Sequence, residues 1–428
     1  MIDVVSTRSF VRRGRRVSGA VVAQLAQALT SLVLSIVAVR ALGAEGLGTF
    51  GLLYSGLVLA TALSTGLVGD ALTVLDRRHV HLRSGLQMMG IAFAVLCGVV
   101  GAIVVGATGL VSWPSALLFA LVGAVFVIED LLRRLLMASL QFWSVVAVDL
   151  SCLVVTLVFL FGVSLATEMQ IVHLLAAVLV AQAMGLAVAL RLLTDDERWL
   201  APWRGGDLGS VVRFGGWRAA QQGVRPATLT LTRTVIVLAT STLAFGELEA
   251  ARVYAAPTML VVGGVGGFLF ATYAESKERP MHELLRRADA GAALLVVLVV
   301  LLGGAAIAVV PWAGDLVTGG SFQLDGVAVV GWVVFAAAAA ILMPYGGLGA
   351  VRGLHVTVFL FRGVEAVVSV VAVVLVVSVT GASASWAPYA LAVGSVVSGA
   401  VIRQRVLLPR ARAEARDADA LALVAHDA

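Results

Sequence analysis

Apolar residues run through this chain in blocks of about 20, separated by short polar segments. A helical block of that length, rising 1.5 Å per residue, matches the roughly 30 Å hydrocarbon thickness of a bilayer. Twelve spans are predicted on this basis. The first six run roughly over Val17–Ala41, Leu47–Val68, Ser84–Gly106, Pro114–Ala138, Trp143–Leu165 and Ile171–Leu192. The second six cover Phe214–Ala239, Ala250–Tyr273, Ala288–Pro311, Val327–Gly347, Leu354–Val379 and Ser385–Leu407. A polar stretch with Gly-Gly and Pro punctuation divides them. The predicted organisation is therefore a basic tail (1–16), an N-terminal lobe of helices 1–6 (17–193), a linker (194–212), a C-terminal lobe of helices 7–12 (213–407) and a tail (408–428). The fold class is all-α and polytopic.

Charge supports this count. With the N-terminus inside, 24 of the 30 basic residues fall in inner loops and tails, while the outer loops carry Glu45, Glu168, Glu247, Glu249, Asp315 and Asp325. Such asymmetry is the positive-inside pattern of a multi-pass protein with both termini cytoplasmic. Cysteines placed at Glu45, Glu168 and Asp325 should react with impermeant thiol reagents from outside, and cysteines at Arg78 and Arg279 should not. Outside labelling at Arg279 would break the twelve-helix count.

Composition narrows the chemistry. At 60% hydrophobic and 13% charged residues, the chain is a membrane protein, so its net charge of +5 is a matter of topology and no nucleic-acid partner is expected. Cys97 and Cys152 lie within apolar segments, which argues against a disulfide framework or a metal site. The six histidines are scattered, and neither a phosphate-binding glycine loop nor a nucleophile with a partner base is present. No loop could house a catalytic domain. A non-enzyme without cofactor or metal is expected.

The unusual span is the seventh, Phe214–Ala239. Taking about 100° per residue, Arg225 lies some 20° from Arg218, Gln222 about 40° and Arg233 about 60°. One cationic stripe thus runs past mid-depth, with Gln221 beside it. An arginine centred in lipid costs about 2.5–3.5 kcal/mol on insertion scales, so the stripe must face protein or water. Either acids on neighbouring helices neutralise it, or it lines an anion-binding cavity. The first span carries Gln24, Gln27, Ser31 and Ser35 within about 80°, suited to interhelical hydrogen bonds or to sugar hydroxyls. Arginine forks suit phosphate. Asp149 is a lone acid in the fifth span, either an ion-pair partner for the fourth-helix arginines or a coupling acid. Glu129–Arg133, Asp130–Arg134 and Arg362–Glu365 are spaced to pair along their own helices. Pro226, directly after Arg225, is a candidate hinge, acting with the Gly205–Gly206 linker as the place about which the lobes rock. The Gly263–Gly267 run suggests close helix packing.

A faint repeat relates the halves. Arg40–Gly56 aligns with Leu243–Met259 at an offset of about 204, matching Glu45 with Glu249 and Phe50 with Tyr254. The first hairpin, with Arg40, Leu42, Gly43, Gly46, Gly48 and Phe50, resembles the Wzx-type polysaccharide flippases of the multidrug/oligosaccharidyl-lipid/polysaccharide (MOP) superfamily, as do Gly246 and Tyr254 in the second half. The chain departs from that pattern at Thr232-Arg233, where many relatives carry an acid–base pair. The resemblance implies a V-shaped bundle of two six-helix lobes. It also implies movement of an undecaprenyl-linked oligosaccharide across the bacterial cytoplasmic membrane, with membrane lipids and polysaccharide polymerase or glycosyltransferases as partners. The alternatives are a multidrug cation antiporter of the same fold and a non-transporting membrane scaffold of polysaccharide assembly.

Overall fold

A computed structural model describes residues 3–198, 200–203, 205–379 and 383–416, with side chains described from Ser18 onward. Trp199 and Arg204 of the predicted linker, the arginine side chains of the basic tail, and Asp417, Asp419 and Asp427 lie outside the described residues. The chain is helical throughout. In order, the helices are α1 (Asp3–Ser64), α2 (Asp70–Val74), α3 (Val80–Ala107), α4 (Trp113–Ala138), α5 (Phe142–Ala166), α6 (Ile171–Leu192) and α7 (Asp195–Arg198). Then come α8 (Leu208–Ala239), α9 (Thr242–Glu275), α10 (Met281–Thr318), α11 (Gly326–Val351), α12 (His355–Val374) and α13 (Ala387–Val401). A π-helical turn, Thr65–Gly69, joins α1 to α2.

Among the described residues, ten stretches are long and apolar enough to cross a membrane. The first of them, Val22–Leu72, holds two spans, because Gly43 breaks α1 with φ +70° and ψ −168°, a region open in practice only to glycine. The seventh predicted span, α8, is absent from the ten because its arginines, glutamines and threonines dilute its hydropathy. Dividing the first stretch and adding α8 restores twelve.

The chain divides into two compact units, Met1–Thr230 and Leu231–Ala428. The division falls inside α8, four residues past Pro226, and not in the linker. The reason is that the linker is bonded along its length to the start of α3. Arg83 donates to the carbonyls of Asp196 (2.9 Å) and Glu197 (2.5 Å), and Ser84 donates to that of Pro202 (2.5 Å). The amides of Ala201 and Asp207 reach Gln87 Oε1 (3.1 Å) and the His81 carbonyl (2.9 Å). Asp207 then accepts from the Ser210 amide (2.9 Å), capping α8. The first turns of α8 are held by a small core in which Val211 and Phe214 pack on Val68, Ala71 and Leu86.

In the second unit, Tyr273, Leu284, Ala288, Leu348 and Ile402 build the core. Its basal end is clamped where Arg403 donates to both oxygens of Asp289 (2.8 and 2.9 Å) and the Tyr345 hydroxyl donates to the same carboxylate (2.9 Å). The tail expected after Leu408 stays helical to Arg416, because Glu414 accepts from the Met281 amide (2.9 Å) and pairs with Arg352.

Candidate functional site

The predicted stripe lies on α8, and each unit deals with its part separately. In the first unit, the helix approaches the π-turn backbone to backbone. A Cβ on Gly215 would sit 2.0 Å from the Leu67 carbonyl oxygen, and one on Gly66 would sit 2.4 Å from the Ala219 backbone. That closeness brings Arg218 onto Asp70, with Nε at 2.8 Å and Nη2 at 2.6 Å from Oδ2. Arg218 Nη1 also donates to Gln221 Oε1 (2.9 Å), and Gln222 reaches the same Asp70 oxygen at 3.4 Å. Asp70 was not anticipated from sequence. Its signal was faint: a single acid directly after a span, in a stretch otherwise apolar. Arg225, about two turns beyond Arg218, is exposed. The helix continues through Pro226 without interruption.

In the second unit, Arg233 meets Glu249 of α9, Nη2 to Oε1 at 3.4 Å. Arg252 takes the same oxygen, with Nε at 2.7 Å and Nη2 at 2.6 Å. Glu249 is only 2% exposed, and its Oε2 makes no hydrogen bond among the described residues. This corrects the placement of Glu249 in an outer loop. Ser241 caps α9 by accepting from the Ala244 amide (3.1 Å), so the helix begins at Thr242 and buries Glu249 on its second turn. Its repeat counterpart Glu45 is exposed. The acid missing beside Thr232 is therefore supplied by the next helix, and one carboxylate serves two guanidinium groups.

The polar face of the first helix divides by chemistry. Ser31 and Ser35 turn back onto the carbonyls of Ala28 and Ser31, each at 2.9 Å. Gln24 is exposed and Gln27 half-buried, and no hydrogen bond of either amide occurs among the described residues.

A second charged cluster sits inside the first unit on α4 and α5. Asp149 is paired: Arg133 Nε lies 2.9 Å from its Oδ1. Arg133 also approaches Asp130 (3.8 Å), and Arg134 pairs with Asp130 (3.3 Å) at the predicted spacing. Glu129 does not pair with Arg133, because Asp149 has captured that guanidinium. Glu129 Oε1 and Asp149 Oδ2 are buried without hydrogen bonds among the described residues. Arg362 and Glu365 likewise fail to pair, since Glu365 accepts from Ser395 at 2.6 Å. Of the glycine run in α9, Gly266 packs closely on Met343, whereas Gly263 and Gly264 face open space. No group of three or more metal-ligating side chains occurs among the described residues.

No family model matches the sequence, and no curated protein matches it. Solved structures do. An inward-facing multidrug resistance MATE family transporter of the MOP superfamily superposes with a TM-score of 0.67, covering 91% of this chain and 96% of that one at 13% identity. The likeness is one of fold. An outward-facing MATE family transporter gives a TM-score of 0.61 at 15% identity over 93% and 94% of the two chains. A MOP superfamily transporter from Pyrococcus furiosus, whose binding pocket is described as reversed in polarity and suggestive of a different function, gives 0.62 at 13% over 92% and 94%. With this MOP-like fold and ten stretches long and apolar enough to cross a bilayer among the described residues, the chain is a multi-pass membrane protein.

Proposed function

We propose that the chain is a flippase that moves a lipid-linked oligosaccharide, of the undecaprenyl-pyrophosphate type, across a bacterial cytoplasmic membrane by alternating access. The observation that carries this reading is the sharing of one buried carboxylate, Glu249, by the two guanidinium groups of Arg233 and Arg252. Guanidinium groups gathered in one place favour an anionic ligand, and their forks match phosphate oxygens. Arg218 and Arg225 extend the same chemistry along α8, and the amides of Gln24 and Gln27 suit sugar hydroxyls. Similar folds solved in inward- and outward-facing forms support alternating access, with Pro226 as the place where α8 yields. The carriers of the substrate, membrane lipid and the polymerase or glycosyltransferases of the envelope, are the partners of this reading.

A second reading, export of drug-like cations, draws equal support from the fold, because the solved multidrug transporters share it. It also draws on the α4–α5 cluster, where Glu129, Asp130 and Asp149 outnumber Arg133 and Arg134. In either reading Asp149 is the acid offered for ion coupling.

Binding separates the two. The purified protein should bind a lipid-linked pyrophosphate oligosaccharide, and Arg252→Gln should weaken that binding about tenfold, the scale of one charge-assisted contact. Tetraphenylphosphonium should not compete. Competition by the cation, with affinity for the pyrophosphate lipid unchanged in Arg252→Gln, would favour drug export.

A further inference from the structure

A cavity of about 340 Å³ opens in the first unit among α3, α4, α6 and the linker. It is a slot with two chemically distinct ends. Ile91, Ile128, Leu131 and Leu190 form an apolar barrel, and Arg77, Arg83, Gln87 and Glu197 close one end. From Ile128 to Leu135 the slot follows α4 for seven residues, about 11 Å of depth. Its size is at the lower edge of the roughly 300–1,000 Å³ typical of small-molecule pockets.

The polar end is cationic. Arg77 and Arg83 both converge on Glu197, at 2.8 and 3.7 Å, and are held in place by further bonds, Arg77 to the Leu72 carbonyl and Ser139 and Arg83 to the carbonyls of Asp196 and Glu197. On the linker, Leu200, which lines the slot, is 73% exposed, and Trp203 is 53% exposed. An exposed tryptophan and leucine beside arginines are the side chains of a membrane–water interface, where aromatic rings settle at headgroup depth. Polar and positive at the interface, apolar below it: that order is the order of an anionic phospholipid.

We propose that this slot binds one anionic phospholipid from the surrounding membrane. An acyl chain lies along α4, and the phosphate sits against the Arg77–Arg83 end under the linker. The linker is then held to the first unit through the lipid as well as through its hydrogen bonds to α3. The proposal is independent of what the protein transports, since no residue that lines the slot belongs to α8.

The test is native mass spectrometry of the full chain in detergent, with phosphatidylglycerol and phosphatidylcholine supplied in equal amounts. The wild type should retain one phosphatidylglycerol in preference to phosphatidylcholine by about tenfold, the scale of one charge-assisted contact. Leu190→Trp at the mouth and Ile91→Trp at depth fill the slot by different routes, and each should remove the retained lipid while the protein stays monodisperse. Arg77→Gln should erase the headgroup preference. Equal retention of the two lipids by the wild type would overturn the proposal. So would undiminished phosphatidylglycerol in whichever slot-filling variant remains folded.

Discussion

Replacing Glu249 with glutamine should remove most of the folded protein from the membrane. The substitution keeps shape and volume, so packing does not change. What changes is that Arg233, with a side chain 16% exposed, and Arg252 lose their shared carboxylate. Stripping one partner from a buried ion pair costs about 3–5 kcal/mol, because the charge left behind has neither water nor a counter-ion. Against a total stability of about 5–15 kcal/mol, that loss is severe. Arg252→Gln should be much milder, since Glu249 keeps Arg233. The Glu249→Gln, Arg252→Gln double variant should recover part of the loss. Thermal unfolding of detergent-purified protein, followed by size-exclusion chromatography, checks all three. Normal yield and melting for Glu249→Gln would mean that the cluster is hydrated rather than buried.

Arg225→Ala should do the reverse, sparing the fold and slowing transport. Arg225 is exposed on α8. A charge-assisted contact to phosphate is worth about 1.5–3 kcal/mol, so its loss should slow translocation about 10- to 100-fold. Lysine keeps the charge and loses the planar fork, so Arg225→Lys should retain part of the activity. Surface polymer measured per unit of membrane-embedded protein is the readout. Full activity in Arg225→Ala would remove the stripe from the substrate path.

How much of this could be read from the sequence differs by feature. The spans were legible because membrane insertion imposes one length and one polarity on every helix. Even α8, too polar for a hydropathy criterion, declared itself by its place in the alternation of charge. The arginine stripe followed from helical period alone. Its partners did not. Asp70 lies 148 residues from Arg218, and nothing local to either residue announces their meeting, which depends on Gly66 and Gly215 letting two backbones touch. Glu249 was misplaced because an apolar run does not mark where a helix begins; the Ser241 cap starts α9 two turns before that run. The i,i+3 and i,i+4 rules found Asp130–Arg134 but not the true partners of Arg133 and Glu365. Inside a bundle, a neighbouring helix can offer a nearer group than the next turn does. The glycines marked the linker as a place about which lobes could rock, and Gly205, with φ +78°, serves a turn whose carbonyl meets His81 Nδ1 at 2.7 Å.

The central claim is that the arginine-bearing helix serves an anionic, lipid-linked substrate. It is tested most directly in cells from which the gene has been deleted, by extracting membrane lipids and measuring undecaprenyl-pyrophosphate-linked repeat units in each leaflet. The account predicts that a defined lipid-linked oligosaccharide accumulates on the inner leaflet and clears when the wild-type chain, but not Arg225→Ala, is restored. Unchanged lipid-linked intermediates in the deletion strain, together with increased sensitivity to cationic drugs, would contradict it.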